Sequence, residues 1–221
     1  QSPQLFKQLL MMSGFERYYQ IVRCFRDEDL RADRQPEFWQ LDLEMAFSSP
    51  DKLFALIEKL CQDLFAKCLK RDVKAPFQRM TYHDCMEYYG TDKPDLRIPI
   101  KFQQINDIAE KSSFSIFLEQ VKNHGIVKGM CVPQGAKLSR KNIDNYTSFI
   151  GQFGLKGLAW MKMQDNKLTS NISKFFDESL LNELIKRFDI KEGDLLFMVA
   201  DIPHRVNQGL DHLRRKIGED L

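Results

Sequence analysis

A chain of 221 residues, 43% hydrophobic and 29% charged, has the composition of a folded globular protein, which excludes extended disorder and leaves room for two modest domains. Its 33 Lys and Arg stand against 31 Asp and Glu, a net charge of +2, so no overall cationic field marks a nucleic-acid partner and any RNA contact must come from local patches. No apolar run approaches the roughly 20 residues of a membrane helix, so no membrane partner is expected. The N-terminal Gln1-Ser-Pro-Gln has no basic region followed by an apolar one and no initiator methionine, so the chain is expected to begin inside a longer, cytoplasmic protein. Cys24, Cys61, Cys68, Cys85 and Cys131 form no Cys-x-x-Cys pair and read as reduced thiols. Cys61 and Cys68, on one side of a helical stretch with no histidine partner, read as core residues rather than metal ligands, and no metal site is expected in this segment.

In chain order, Leu5 to Met12 reads as a short helix ending before Ser13-Gly14. Residues 17–44 read as two strands joined by a loop crowded with charge: positions 27–36 hold four acids and two arginines, and Arg26 and Glu28 fall on the same side of a period-two chain. In the second strand Trp39, Leu41, Leu43 and Met45 alternate with Gln40, Asp42 and Glu44. The polar face is either solvated or the floor of a polar pocket. Ser49-Pro50-Asp51 supplies an N-cap, a proline at the first helical position and an acid for the helix dipole. The helix that follows carries a stripe of Leu53, Leu56, Ile57, Leu60, Cys61, Leu64 and Cys68, expected to be buried, and ends near Lys70-Arg71.

A short helix over 82–89 precedes the turn-rich Gly90-Thr-Asp-Lys-Pro94, after which helices and apolar strands alternate. Strands are expected at 126–132, 157–163 and 195–200. Helices are expected at 105–111, at 139–153 (capped by Ser139 and closed by Gly154), at 178–188, and at 205–217 with Val206, Leu210, Leu213 and Ile217 inward. The glycines at 125–129 and 154–157 lack the spacing of a phosphate loop, and His83, His124, His204 and His212 have no metal-ligand spacing.

Phe25-Arg26-Asp27-Glu28 followed by Arg34-x-x-x-Phe38 resembles the second signature motif of class II aminoacyl-tRNA synthetases. With Gln1-Ser-Pro-Gln-Leu-Phe-Lys7 upstream and Tyr89-Gly-Thr-Asp-Lys-Pro-Asp-Leu-Arg97 downstream, the segment resembles the bacterial-type aspartyl-tRNA synthetases. Val132-Pro-Gln-Gly135, Gly154-x-Lys-Gly-Leu-Ala159 and Gly193-Asp-Leu-Leu-Phe197 resemble the insertion (GAD) domain of that family. The expected fold is therefore α+β / α/β: a partial class II antiparallel-sheet catalytic core in residues 1–97 and an α/β insertion domain in residues 98–221.

The resemblance implies an aspartate–tRNA ligase, which joins L-aspartate to the α-phosphate of ATP and passes the aspartyl group to the tRNA 3′ end. ATP is then a substrate, and Mg2+ and a homodimer are expected of the full-length enzyme. It implies Arg26 as the catalytic residue, neutralising carboxylate and phosphate together with a planar fork that lysine lacks. It assigns Arg26, Asp27, Glu28, Gln35 and Phe38 to ATP, with Glu28 on the adenine amino group and Phe38 stacked on the ring. Gln4, Lys7, Arg26 and Asp42 are assigned to aspartate, Lys7 meeting its side-chain carboxylate, and Arg31 and Arg34 to the tRNA acceptor end. Trp39 stands where the family more usually has a small hydroxyl residue. The first and third class II motifs are not found; Gly209-Leu-Asp-His-Leu213 is a superficial match to the third, inside a helix stripe. The segment alone is expected to be inactive, and the alternative is a non-catalytic RNA-binding or interaction module.

Overall fold

The structure, a computed structural model, describes residues 3–29 and 34–220. It divides into two compact units, Gln1–Gln78 and Arg79–Leu221.

The first unit is a hairpin with a helix on either side of it in sequence. Helix α1 (Gln4–Met12) leads into strand β1 (Arg17–Phe25), which pairs antiparallel with β2 (Glu37–Met45), from Arg17 opposite Met45 to Phe25 opposite Glu37. Opposed residues share a face of the ribbon, so Tyr19, Ile21, Trp39 and Leu41 lie on one side and Gln20, Cys24, Phe38, Asp42 and Glu44 on the other. α1 packs on the second side, where its Lys7 reaches Asp42 and Glu44. The polar face is therefore the covered one: Asp42 is 4% exposed, whereas Trp39 is 65% exposed on the apolar side.

Helix α2 (Pro50–Leu64) begins as its sequence dictates, with the Ser49 side chain accepting from the Lys52 amide, and continues into a wider turn over Phe65–Leu69. Lys70, left-handed at φ 53°, ends it. Residues 70–77 return along the helix, where the Phe77 amide donates to Glu58 and the Gln62 amide to the Val73 carbonyl. The expected burial of the stripe does not occur: no residue of α2 is buried, Leu53, Leu56 and Leu64 are exposed, and Cys68 is exposed rather than core. The period-3.6 pattern specifies an apolar face without specifying its cover, and none of the described residues covers this one.

The second unit is a five-stranded antiparallel sheet between two helical layers. Helix α3 (Tyr82–Tyr89), capped by Thr81, precedes β3 (Phe102–Gln104), α4 (Asn106–Lys111), α5 (Ser115–Lys122) and β4 (Ile126–Val132). Then come α6 (Arg140–Gly151), β5 (Ala159–Gln164), β6 (Lys167–Thr169), α7 (Glu178–Phe188), β7 (Leu195–Asp201) and α8 (Pro203–Asp220). The strand order is β3-β4-β7-β5-β6. One core joins Ile143 and Ile150 of α6 and Leu210 and Leu213 of α8 to Met130 and Phe197. The other joins Ile108 of α4, Phe117 of α5 and Leu184 of α7 to Val127, Met161 and Met198. Both faces of the sheet are thus buried, and β7 reads as a near-continuous apolar run for that reason.

Residues 79–97 belong to this unit, so the compact units part ahead of the boundary expected at 97/98. Arg214 of α8, 0% exposed, donates from Nη2 to the Asp95 and Ile98 carbonyls at 2.5 and 2.6 Å and from Nε to the Ile100 carbonyl at 2.8 Å. Lys128 of β4, 2% exposed, pairs with Glu87 at 2.8 Å. Gly90 closes α3 at φ 71°, and a Cβ there would lie 2.3 Å from the Asn207 carbonyl oxygen, so only glycine lets α3 approach α8 this closely.

Two groups, the buried Tyr146 and the partly buried Cys131, give this unit an alkaline limit. Burial, then the 3.0 Å hydrogen bond to Asp220, pushes the Tyr146 phenol up to about 12, and burial and Asp194 push the Cys131 thiol up to about 12. Both folded values exceed the unfolded ones, so their stabilisation is intact below about pH 9, where the unfolded thiol begins to ionise, and is lost as pH rises towards 12. Thermal unfolding of the chain between pH 8 and pH 11 should therefore show a falling midpoint (about pH 9 upward) that is shallower in Tyr146→Phe. Parallel profiles for the two proteins would contradict this.

No helix among the described residues is long and apolar enough to cross a membrane.

Candidate active site

The mouth of the hairpin is where the ladder runs out. The Arg26 amide still donates to the Pro36 carbonyl at 2.9 Å, one step beyond the Phe25–Glu37 pair, so Arg26 keeps strand alternation and falls on the face of Cys24 and Phe38. Its guanidinium lies over the Phe38 ring, 5.2 Å from the centroid. Glu28 sits between two cations, 3.7 Å from Arg26 and 3.1 Å from Arg34. All three side chains are about half exposed, so these pairs orient the guanidiniums more than they stabilise the fold. Arg26, Glu28, Asp29, Arg34, Gln35, Pro36 and Phe38 line a pocket of about 340 Å³. An aromatic floor with two guanidiniums at its rim suits a ligand that is both planar and anionic.

Further along the same face of β2, Lys7 of α1 donates to Asp42 at 3.0 Å and lies 3.2 Å from Glu44. Hydrogen bonds to Asp42 and then Glu44 raise the Lys7 ammonium above its ordinary value, so it stays charged at neutral pH. One Asp42 oxygen, Oδ2, is buried without a hydrogen-bond partner, an acceptor left open beneath the helix. Phe38 and Asp42 are four residues apart on one strand face, roughly 13 Å at the usual rise.

The structure thus brings together Arg26, Glu28, Gln35 and Phe38 at one end of this face and Lys7 and Asp42 at the other. Gln4 lies one turn before Lys7 on α1, and Asp27 is exposed in the loop outside the pocket lining. Arg34 lines the pocket beside Glu28, and Arg31 falls outside the described residues. Lys7 and Asp42, expected to hold opposite ends of one substrate, are bonded directly to each other. Asp29, one of the four acids of the charged loop and expected with it near the tRNA acceptor end, lines the pocket instead; Glu44, not singled out, is placed beside Asp42 by period-two spacing. Among the described residues no group of three His, Cys, Asp or Glu side chains is placed to hold a metal ion.

Comparison with known proteins decides the lineage of this hairpin. The family model for tRNA synthetases class II (D, K and N) matches residues 1–199. The chain belongs to this class II synthetase family. Among its synthetase relatives, a protein of Protochlamydia amoebophila named Aspartate--tRNA(Asp/Asn) ligase is 53% identical over 220 residues, covering 100% of this chain and 37% of that protein. Ligases of the same name from Chlamydia muridarum and Chlamydia caviae are 51% and 50% identical, again over 100% of this chain and 38% of each relative. The chain therefore spans little more than a third of the length of these synthetases. As a class II synthetase segment, the hairpin with Phe25-Arg26-Asp27-Glu28 and Phe38 falls inside the matched region, together with every site residue described above.

Proposed function

We propose that this chain supplies part of the active site of an aspartate–tRNA ligase, in which an aspartate carboxylate oxygen attacks the α-phosphorus of ATP, pyrophosphate leaves, and a hydroxyl at the 3′ end of tRNA then takes the aspartyl group from the adenylate as AMP leaves. The observation that carries the reading is the shared strand face: Arg26 stacked on Phe38 at one end, and Lys7 with the open Asp42 oxygen at the other. Phe38 would carry the adenine, Glu28 and Gln35 would contact its nucleotide, and Arg26 would sit where carboxylate and phosphate meet. The guanidinium neutralises both anions and stabilises charge that grows on the phosphoryl oxygens, the dominant contribution in phosphoryl chemistry. Glu28 fits this scheme as an exchangeable partner, releasing Arg26 when a phosphate enters. Gln4 and Asp42 would hold the substrate ammonium, and Lys7 would meet the side-chain carboxylate once that carboxylate competes with Asp42 and Glu44. Arg34, and Arg31 outside the described residues, would approach the tRNA acceptor end. ATP brings magnesium as its own counter-ion, and the donors here, Glu28 and Asp29 beside two guanidiniums, offer no three-acid site for it.

The test is aspartylation of tRNA by the full-length protein that carries this segment. Aspartate-dependent pyrophosphate exchange followed by charging is the expected outcome; tRNA binding with no exchange would instead make it a non-catalytic RNA-binding module. Within that enzyme, Lys7→Leu should raise the aspartate KM about tenfold or more and move the ATP KM by less than about twofold, because only one ligand loses its countercharge. An equal rise in both would mean that Lys7 supports the hairpin as a whole and does not read the aspartate side chain.

We further propose that the first unit is a part of the catalytic core and the second a GAD-like insertion domain, with residues 79–97 as its anchored lead-in. The chain between the units, around residues 70–81, is mostly exposed and has no strand or helix of its own. Limited proteolysis should therefore cut there and leave a resistant fragment that begins near Arg79, and a fragment beginning near Ile98 would reject the assignment of the lead-in.

A further inference from the structure

The sheet of the second unit has an opening on one side of its central strand. β7 pairs with β4 as far as Asp201 opposite Ile126, but its pairing with β5 stops at Met198 opposite Ala159. Beyond that point the chain at 156–158 diverges, and a cleft of about 260 Å³ opens between Gly157–Ala159 and Met198–Asp201. Its walls come from both cores: Phe117 and Met198 belong to one, Leu158 and Val199 to the other, and all four are buried. Trp160 and Phe114 add aromatic surface at the mouth. Two cations converge there. Arg140, the first residue of α6, lies 5.3 Å over the Trp160 ring with one bond to Asp144, and Lys156 has no ion-pair partner among the described residues. The acid in the lining, Asp201, already accepts from the Ile202 amide at 2.7 Å and faces Arg205 at 3.4 Å, so it does not cancel them.

We infer that this cleft binds a small aromatic carboxylate, ring inward and anion between Arg140 and Lys156. The volume sits just below the range of drug-sized pockets, which begins at about 300 Å³, and so admits one ring system with a short acidic arm. Planar apolar walls favour a ring. A guanidinium edge and an ammonium at the mouth favour a carboxylate. An extended peptide is disfavoured because the opening is a wedge closed at the Met198–Ala159 pair, which leaves three residues of strand edge at most.

Phenylacetate, with phenylacetamide as its neutral counterpart, tests this on the 221-residue chain. The chain has two tryptophans, so Trp39→Phe leaves Trp160 as the fluorescent reporter in the cleft. Saturable quenching by phenylacetate is expected, with the amide bound about tenfold more weakly and with Arg140→Ala and Lys156→Ala each losing about fivefold, as fits a charge-assisted contact. Gly157→Leu adds a side chain at a lining position where a Cβ would meet no heavy atom within 4 Å, so it should fold normally and abolish the signal. No saturation at millimolar phenylacetate overturns the inference. So does equal binding of the amide, or binding that persists unchanged in Gly157→Leu with native thermal stability. An acidic aromatic peptide that binds where phenylacetate does not would replace the small ligand by a docked chain.

Discussion

Arg26→Ala, made in the full-length protein, should lower aspartate-dependent ATP–pyrophosphate exchange about a hundred- to a thousandfold while the melting temperature stays unchanged. The two halves of the expectation come from different atoms. The backbone of Arg26 extends the ladder through its amide bond to Pro36, which alanine keeps. The side chain, 57% exposed, contributes one long ion pair to Glu28 and its stacking on Phe38, so little of the fold depends on it. Its charge is needed where two anions meet, and there a preorganised donor is worth far more than at a wet surface. Arg26→Lys should recover part of the rate, because a point charge remains and the planar fork does not. Near-normal exchange in Arg26→Ala would remove this residue from the reaction and with it the assignment of the pocket.

The largest expected loss of stability is at Arg214. Its side chain is fully buried, with its plane 4.9 Å from the Tyr89 ring and three bonds to the carbonyls of Asp95, Ile98 and Ile100. Burial pulls its pKa down and no carboxylate among the described residues lies within ion-pair distance, so the carbonyls carry the compensation for Nε and Nη2 while Nη1 is buried without a partner. Arg214→Ala strands those acceptors and empties the space between α8 and the lead-in, a cost of about 3–5 kcal/mol against total stabilities of about 5–15. The expected fall in melting temperature is roughly 10 °C or more. Lys216→Ala is the control: its side chain is 41% exposed on an i,i+4 pair with Asp220, itself partly exposed, and the change should shift the midpoint by less than about 3 °C. Equal melting of the two variants would show that the lead-in is held by other contacts.

The elements legible from sequence were those whose ends carry side-chain signals. Ser49 and Ser139 cap α2 and α6 as their positions imply, and β4 runs over the residues its apolar pattern marks. The missed elements lack such marks: α5 has Phe114 at its N-cap and so no side-chain cap, and β3 and β6 have three residues each, too few to show a period. At the site, Arg26, Glu28, Gln35 and Phe38 are close in sequence, and one motif with strand alternation brings them together. The bond of Lys7 to Asp42 and Glu44 joins a helix to a strand more than thirty positions away, and nothing local encodes that registration. The exposed stripe of α2 has the same origin, since a sequence pattern defines an apolar face without specifying its cover.

The position of β7 governs the order of assembly. It is the last strand of its sheet to be synthesised and the middle one in space, with β4 on one side and β5 on the other. Until Leu195–Asp201 leaves the ribosome, β4 with β3 and β5 with β6 are two separate ribbons, and neither hydrophobic layer has its central strand. The β1–β2 hairpin, whose strands are separated by only eleven residues of sequence, needs no such wait and forms among the fast local events. Nascent chains that end between β6 and β7 should therefore depend on chaperones more than chains that extend past β7.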